Sequence, residues 1–333
     1  MRLKALETYR CPVTGAALSF DEKAGVLRAP DGHSYPIADD IVDFSAGLTL
    51  NPADQQARDG YNSFSGEFYE NAMNWLWQTY REDEATVRNG VIDQLEVAPG
   101  QQVLEIGCGT GADSAIIAGR MTGGAFYLQE ISPGMIAICR QRLGADNGRG
   151  TVLEYSIGET ARLPFADRSF DRAFHFGGLN AFSDIPGALR EMARVTKIGG
   201  IVVVGDEAVA PWLRGEEYGR ILVENNPAFD AAAPLEKLPV GARDVSLRYI
   251  IGNSFYVMRF SVGDGPPDID LDVPHKGSRG GTMRTRYFGR LEGVSPEARR
   301  LAIAAARQEG KSLHAWLDEA VRSKAQKPGD KDG

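Results

Sequence analysis

The spacing of hydrophobic residues along the chain changes near residue 100. Before that point, residues 61–97 carry apolar side chains at helical spacing. Trp75, Trp77 and Tyr80 fit one face of a first helix, and Val87–Leu95 fits a second. Beyond residue 100 the apolar residues gather in short runs closed by glycine or polar residues, which is typical of buried strands. The pattern therefore predicts a helical lead-in followed by a sheet.

The short runs alternate with helical segments. Strands are predicted at 103–106, 125–130, 152–156, 170–176 and 199–207, with helices at 113–121, 132–143 and 185–196 between them. This alternation indicates an α/β fold of the doubly wound, Rossmann-like kind. Two further β-rich runs flank Gly252-Asn253 and predict a terminal hairpin. We therefore expect a seven-stranded mixed sheet.

The flanking segments differ in composition from this central region. Residues 1–50 combine turn residues with short apolar stretches and predict a small β unit, and 51–263 hold the α/β domain. Residues 264–333 begin as a Gly- and Pro-rich loop with basic residues. They continue as a helical hairpin of two helices, Ser295–Ala306 and Ser312–Ser323, and end in a polar tail expected to be disordered.

Composition excludes several classes of protein. The 333 residues are 43% hydrophobic and carry a formal net charge of −8, which argues against a nucleic-acid partner. No apolar run is long enough for a membrane span, and no secretory h-region is present. The three cysteines (Cys11, Cys108 and Cys139) are too few and scattered for a disulfide framework, so a cytoplasmic protein is expected.

A glycine-rich loop follows the first buried strand. Gly107, Gly109 and Gly111 alternate in VLEIGCGTGADS and open a helix, as a backbone that approaches a ligand closely requires. The loop also fits the loose dinucleotide fingerprint. Glu105, just before it, would repel a pyrophosphate but suits S-adenosylmethionine, which carries a sulfonium and an ammonium group. Asp113 lies beside the loop and is expected to line the same site.

Acidic residues follow the next two strands as well. Glu130 ends the second strand, where a carboxylate accepts hydrogen bonds from a ribose diol, and Ile131 follows it. Glu159 follows the third strand and is expected to accept from the adenine amino group, with Thr160 beside it. Each acid alone is also compatible with a solvated loop residue. Three acids after three successive strands together predict a cofactor site.

Residues 61–262 resemble the class I S-adenosylmethionine-dependent methyltransferases, particularly the family that methylates ubiquinone precursors and small metabolites. The resemblance rests on YNSFSGEFYE, VLEIGCGTG, LQEISPGMI, ETARLPFADRSFDRAF and VTKIGGIVVV. It implies S-adenosylmethionine as cofactor and a small-molecule acceptor. The family usually has Asp where this chain has Glu130, so the ribose contact is expected with altered geometry. The sequence leaves open an RNA methyltransferase and a cofactor-sensing DNA-binding or scaffold protein.

Catalytic candidates lie at the ends of the fourth and fifth strands. His175 is the candidate general base for a hydroxyl acceptor, although a histidine packed beside two phenylalanines fits the pattern equally. Asn180 is a candidate for orienting the substrate, and Tyr61 for closing over the cofactor. Glu207 and Trp212 are candidate substrate-binding residues at the same edge of the sheet.

The terminal segments resemble parts of other families. CPVTG and PDGHSYPI resemble the zinc-ribbon segment of some rRNA guanine methyltransferases, but only Cys11 and His33 remain as ligands at the expected spacing. Two ligands cannot close a tetrahedral site, so no metal is predicted. Residues 295–321 resemble the helices of ribbon-helix-helix proteins, with RTRYFGRL as the candidate strand. We favour a helical hairpin that packs on the catalytic domain or on a second subunit, and expect a homodimer.

A cluster of cations precedes these helices. Residues 276–290 contain five basic side chains and no acids, namely Lys276, Arg279, Arg284, Arg286 and Arg290. We predict that Arg284 and Arg286 bind an anionic group of the substrate. Contact with DNA and a solvated face paired with nearby acids are the open alternatives.

Overall fold

The computed structural model describes residues 3–63, 66–276, 281–288 and 294–326. The chain divides into two compact units, one up to Pro266 and one from Pro267 onward. Within the described ranges, no helix is both long and apolar enough to cross a membrane.

Seven strands of the first unit form the predicted mixed sheet. Its strands, β5 to β11 in chain order, are Gln102–Ile106, Ala125–Glu130, Val152–Ile157, Phe170–Phe176, Thr196–Glu207, Ala242–Ile250 and Phe255–Val262. They lie in the order β7-β6-β5-β8-β9-β11-β10. Strands β5 to β9 pair in parallel, and β11 runs antiparallel between β9 and β10. The expected doubly wound α/β fold is confirmed.

Both faces of the sheet are covered. Along β9, Val202 and Val204 belong to one apolar cluster, while Ile201 and Val203 belong to another on the opposite face. All four are buried, as the period of two in a strand requires for a sheet between two layers. The hairpin predicted at Gly252-Asn253 joins β10 to β11.

Helices of the first unit precede and separate these strands. They are α1 to α8, namely Leu3–Thr8, Pro52–Ser63, Gly66–Tyr80, Glu84–Ile92, Ala112–Arg120, Pro133–Leu143, Ile185–Val195 and Glu217–Asn225. The side chain of Ser132 accepts a hydrogen bond from the Met135 amide and caps α6, as the sequence predicts. Asp184 caps α7 in the same way, through the Gly187 amide.

The N-terminal β unit continues the same sheet. Strands β1 to β4 are Ser19–Asp21, Val26–Arg28, Ser34–Ala38 and Ile41–Asp43, and they form an antiparallel meander. Strand β4 then pairs in parallel with β7, which extends the sheet to eleven strands instead of the predicted seven. Pairing satisfies the backbone groups at the free edge of β7. The sequence pattern does not indicate this, because strand pairing is a long-range property.

The second unit is helical over its described residues. Its helices are α9 to α11, namely Met283–Phe288, Pro296–Gln308 and Leu313–Gln326. The last two confirm the predicted hairpin of helices, and the side chain of Ser295 caps α10. The prediction of a ribbon strand in RTRYFGRL is wrong for residues 284–288, which lie in α9. The last seven residues of the predicted disordered tail, 327–333, lie outside the described residues, as do Arg279 and Arg290.

Candidate functional site

A cavity of about 240 Å³ opens at the carboxyl ends of the parallel strands. This is the edge at which open α/β sheets bind ligands. Its lining includes most of the residues that the sequence singled out, namely Tyr61, Glu105, Gly107, Gly109, Asp113, Glu130, Ile131, Glu159, Thr160, His175 and Glu207. The structure thus brings side chains from five strand ends into one site.

The glycine loop needs its glycines for two separate reasons. All three have positive φ values, of 65° at Gly107, 53° at Gly109 and 84° at Gly111. A β-carbon at Gly111 would lie 2.8 Å from the sulfur of Cys139, so this glycine lets α5 pack on α6. At Gly109 no protein atom lies within 4 Å of such a carbon, and the space beside it belongs to the cavity. Gly111 itself does not line the cavity.

Glu130 anchors the loop from the end of β6. One carboxylate oxygen accepts a hydrogen bond from the Gly109 amide at 2.9 Å, and the other accepts from the amides of Ile131 and Ser132 at 2.9 and 3.0 Å. Burial raises the pKa of Glu130, and these three backbone donors oppose that rise. Oε2, which accepts only the Gly109 amide, keeps acceptor capacity for a ligand hydroxyl.

Glu105 lacks such donors for one of its oxygens. The carboxyl is buried, and Oε2 has no hydrogen-bond partner among the described residues. Burial raises the pKa of Glu105 well above its usual range, and the nearby Asp113 raises it further. A buried acid with a free acceptor atom at a cavity wall is suited to a cationic ligand.

A buried arginine lies beside Glu105 and Asp113. Arg88 of α4 donates to Asp113 at 2.8 Å and to Glu84 at 2.7 Å, and its guanidinium lies 5.5 Å from the ring centre of Trp77. It lines the cavity, yet sequence analysis did not select it. Its position one helical turn after Glu84 was the available signal, because that spacing predicts an ion pair.

The loop after β7 forms another part of the cavity wall. Glu159 is buried, and its carboxylate pairs with Arg162 at 3.1 Å. Its backbone carbonyl accepts a hydrogen bond from the Gln129 side chain at 3.1 Å, which ties this loop to β6. Burial raises the pKa of Glu159, and Arg162 opposes that effect. Thr160 and Ala161 continue the wall.

His175 lies at the end of β8, buried against the Gly107 loop. Its Nδ1 lies 2.8 Å from the carbonyl oxygen of Ile106, and its ring centre is 4.9 Å from that of Phe182. Because a carbonyl only accepts, Nδ1 carries the proton and Nε2 is left as an acceptor. Nε2 has no partner among the described residues, and burial lowers the pKa of the ring.

Two acids end β9. Asp206 accepts from the backbone amides of Gly178 and Asn180, so it orders the loop after β8. Glu207 lines the cavity, and its pKa is raised to about 9 by burial and by the neighbouring Asp206 carboxyl. The raised pKa favours the neutral form of Glu207 near pH 7, in which its carboxyl group hydrogen-bonds to Asp206.

Some predicted site residues lie elsewhere. The Asn180 side chain donates to the Glu207 carbonyl at 2.8 Å and does not line the cavity. Trp212 is 62% exposed and packs edge-on against Tyr249. Arg284 and Arg286 belong to the second unit, where Arg284 pairs with Asp272 at 2.9 Å. Their predicted role in substrate binding stays a prediction.

One lining residue from α2 was also missed. Asp54 is buried and accepts a hydrogen bond from the Ser183 amide at 3.1 Å, which fixes α2 against the loop before α7. Tyr61 lies further along the same helix. Asp54 sits in a polar stretch that reads as a linker, so the sequence gives no sign of its burial.

Comparisons with known proteins find similarity in the central α/β region of the chain. Residues 104–204 match the family described as "Methyltransferase domain". The chain is 30% identical to methyltransferase GfsG of Streptomyces halstedii over 146 residues, which cover 44% of this chain and 51% of that protein. It is 37% identical over 127 residues to the ubiquinone/menaquinone biosynthesis C-methyltransferase UbiE of Xanthomonas oryzae pv. oryzae, covering 37% of this chain and 49% of that one.

The chain spans about half the length of these curated relatives. Among solved structures, geranyl diphosphate C-methyltransferase from Streptomyces coelicolor A3(2) aligns with a TM-score of 0.48 and 11% identity, over 65% of this chain and 99% of that one. The family match confirms the resemblance to methyltransferases stated from the sequence.

Proposed function

We propose that this chain, with its methyltransferase domain at residues 104–204, is an S-adenosylmethionine-dependent methyltransferase that acts on a small molecule. The observation that carries the proposal is the cavity at the carboxyl ends of the strands, where a glycine loop with free space at Gly109 meets buried acids. Such a site suits a ligand with a ribose and a positive charge. It disfavours a dinucleotide, because the acids lie where a dinucleotide carries its pyrophosphate and would repel it.

The nucleoside part of the cofactor lies between β6 and the loop after β7. Glu130 accepts from the ribose hydroxyls, and its three backbone hydrogen bonds keep it oriented and favour its ionised form. Ile131 packs against the adenine ring. Glu159 and Thr160 supply acceptors for the exocyclic amino group from the loop after β7.

The amino-acid part of the cofactor lies at the glycine loop. Glu105 has an acceptor oxygen without a partner and is buried, so an ammonium or sulfonium group would stabilise its ionised form. Arg88, held by Asp113 and Glu84, presents positive charge to the cofactor carboxylate. The two residues together match the zwitterionic end of the cofactor.

Methyl transfer is a single displacement. Bound S-adenosylmethionine would supply an activated methyl group, and its transfer to a lone pair of the acceptor would leave the electrons of the broken carbon–sulfur bond on sulfur, with S-adenosylhomocysteine as the second product. The protein contributes positioning and the exclusion of water. Where the acceptor is a hydroxyl, its proton passes to Nε2 of His175, the unpartnered acceptor at this wall.

The acceptor itself is proposed to be small. One of the relatives, UbiE, is named as a C-methyltransferase of ubiquinone and menaquinone biosynthesis. Apolar walls from Met73, Leu76, Trp77 and Phe255 suit an acceptor with an apolar part. Glu207 lies at the same wall and offers the carboxyl oxygen that is not engaged with Asp206 as an acceptor.

We also propose an oligomeric state, a cellular location and a substrate charge for this protein. We infer a homodimer formed through the C-terminal helices, where Leu301 and Val321 are 66% and 64% exposed. A cytoplasmic location is proposed from the scattered cysteines, all of which are free. We propose that Arg284 and Arg286 bind an anionic group of the substrate. Mutation of either residue to Ala should therefore raise the KM for that substrate.

Transfer of a labelled methyl group from S-adenosylmethionine into a metabolite extract tests the proposed function. We expect the label in a small organic product and not in the RNA or protein fraction. Label found only in RNA would contradict the proposed acceptor class, and no transfer with any fraction would contradict the activity.

A further inference from the structure

Three side chains of metal-ligating types meet in the N-terminal meander, outside the methyltransferase domain match. They are Cys11, Asp31 and His33, and one ligand atom from each lies within 4.8 Å of the other two. The sulfur belongs to a buried cysteine, while the carboxylate and imidazole are partly exposed. The sequence pattern supplied only the first and last of these residues, because Asp31 comes to the cluster through a turn.

Two tight turns hold the cluster. In the first, the Gly15 amide donates to the Cys11 carbonyl at 2.8 Å, and Gly15 has a φ of 70°. In the second, the Ala29 amide donates to the His33 carbonyl at 2.9 Å, and Gly32 has a φ of 98°. The positive φ values suit glycine, so the turns fix the ligand positions through the backbone.

Two contacts involve the members of the cluster. Nδ1 of His33 and Oδ1 of Asp31 lie 3.0 Å apart as an ion pair, so the imidazole and the carboxylate are already adjacent. The sulfur of Cys11 shares a hydrogen bond of 3.0 Å with the Tyr35 hydroxyl, a contact typical of the outer shell around a metal-bound thiolate.

We propose that Cys11, Asp31 and His33 bind one Zn²⁺ ion with a water molecule as the fourth ligand. A thiolate, an imidazole and a carboxylate are the three ligand types that zinc accepts, whereas Ca²⁺ and Mg²⁺ prefer oxygen alone. The thiolate and the carboxylate together balance the charge of the ion. Partial exposure of Asp31 and His33 leaves room for the water.

The position of the site indicates a structural role. Next to Cys11, Tyr9 stacks on Phe165 at 5.5 Å, and its backbone forms a bridge with the same residue. Tyr35, which contacts the cysteine sulfur, packs against Phe44 just past β4. An ion that joins the two turns would therefore hold the meander in the conformation that extends the sheet. This proposal is independent of the methyltransferase activity.

Titration of the untagged, full-length protein with Zn²⁺ and Co²⁺ after treatment with a chelator tests the site. We expect one ion of either metal per chain, and a thiolate-to-metal charge-transfer band in the near-ultraviolet spectrum of the cobalt form. Zn²⁺ should also raise the melting temperature. A cobalt spectrum without the thiolate band, or the absence of stoichiometric binding, would overturn the proposal.

Single variants assign the ligands. Cys11→Ser and Asp31→Asn are each expected to weaken zinc binding at least as much as loss of an outer-shell partner does, roughly 10–100-fold, and Cys11→Ser should remove the charge-transfer band. Asp39→Asn is the matched control, because Asp39 is exposed on the next turn and its φ of 49° is a conformation that Asn tolerates. Asp31→Asn lies at the surface, so its metal-free fold should match that of the parent by circular dichroism. Equal zinc affinity in the parent and Asp31→Asn would refute the site.

Discussion

At the scale of the residue, three buried acids line one cavity in three different electrostatic settings. Glu130 accepts three backbone hydrogen bonds, Glu105 has an oxygen without a partner, and Glu207 is held neutral near pH 7. The same residue type can therefore serve as a ribose acceptor, as a partner for a cation and as the protonated member of an acid pair. Burial acts on all three, and the neighbouring donors and acids decide the outcome.

Glu105→Gln tests the role of the unpartnered acid. The pKa of Glu105 is raised in the free protein, and a bound cation would lower it, so S-adenosylmethionine prefers the ionised form. Affinity should therefore fall as the pH falls through the free-protein pKa. The variant should lose that pH dependence and the charge-assisted bond, worth about 1.5–3 kcal/mol. Calorimetry across pH measures both effects, with exposed Glu236→Gln as control; an unchanged pH profile would contradict the role.

His175→Ala tests the general base. We expect kcat for a hydroxyl acceptor to fall by on the order of 10²-fold, with S-adenosylhomocysteine affinity nearly unchanged. Because burial lowers the pKa of His175, the neutral base should persist at pH values below the usual histidine range. The pH–rate profile of the parent checks this, and His314→Ala in the second unit is the control. A loss of cofactor affinity equal to the loss of rate would indicate a packing role.

Sequence analysis predicted residues whose position follows from strand order. The residues at the strand ends, such as Glu105 and Glu130, line the cavity because parallel strands share one carboxyl edge. Arg88 and Asp54 were not predicted, because they reach the cavity from helices that precede the sheet. No local sequence pattern specifies how such helices pack on the sheet. Asn180 does not line the cavity, because its side-chain amide donates to the backbone at the end of the neighbouring strand.

At the scale of the element, the glycine loop couples packing to ligand binding. Gly111 permits the contact between α5 and α6, whereas Gly109 leaves space at the cavity. The same element thus contains one glycine required for the fold and one required for the ligand.

Gly111→Ala is expected to destabilise the protein by about 1–3 kcal/mol, because the residue has a φ of 84° and the new methyl group would lie 2.8 Å from the Cys139 sulfur. Gly119→Ala in the same helix is the matched control. Gly119 is exposed, no atom lies within 4 Å of its added carbon, and alanine favours helices by up to about 1 kcal/mol. Urea unfolding compares the two; destabilisation of equal size in both would contradict the packing argument.

Element type was predicted best where the period was clear. The alternating strands and helices and the Gly252-Asn253 hairpin agree with the structure. Residues 284–288 of the predicted ribbon strand did not, since β-branched and aromatic residues favour a strand only when a partner strand is present. The pairing of β4 with β7 joins residues more than one hundred positions apart, beyond the reach of a local pattern.

At the scale of the whole molecule, the residues that line the cavity and the residues of the second unit come from separate parts of the chain. The lining residues run from Asp54 to Phe255, and the first unit ends at Pro266. We predict that a chain ending at Pro266 folds and binds S-adenosylhomocysteine with the affinity of the full chain. Thermal unfolding and calorimetry of both proteins measure this. An unfolded or non-binding truncated chain would show that residues beyond Pro266 are required for the site.

Calorimetry of the full chain with S-adenosylmethionine, S-adenosylhomocysteine and NADH tests the central claim most directly. We expect one binding site per chain for S-adenosylmethionine and for S-adenosylhomocysteine, and no binding of NADH. Gly109→Val should abolish this binding, because the new side chain fills the cavity beside the loop at a φ of 53° that valine rarely adopts. Circular dichroism should show that the variant stays folded. Binding of NADH together with no binding of S-adenosylmethionine would contradict the account.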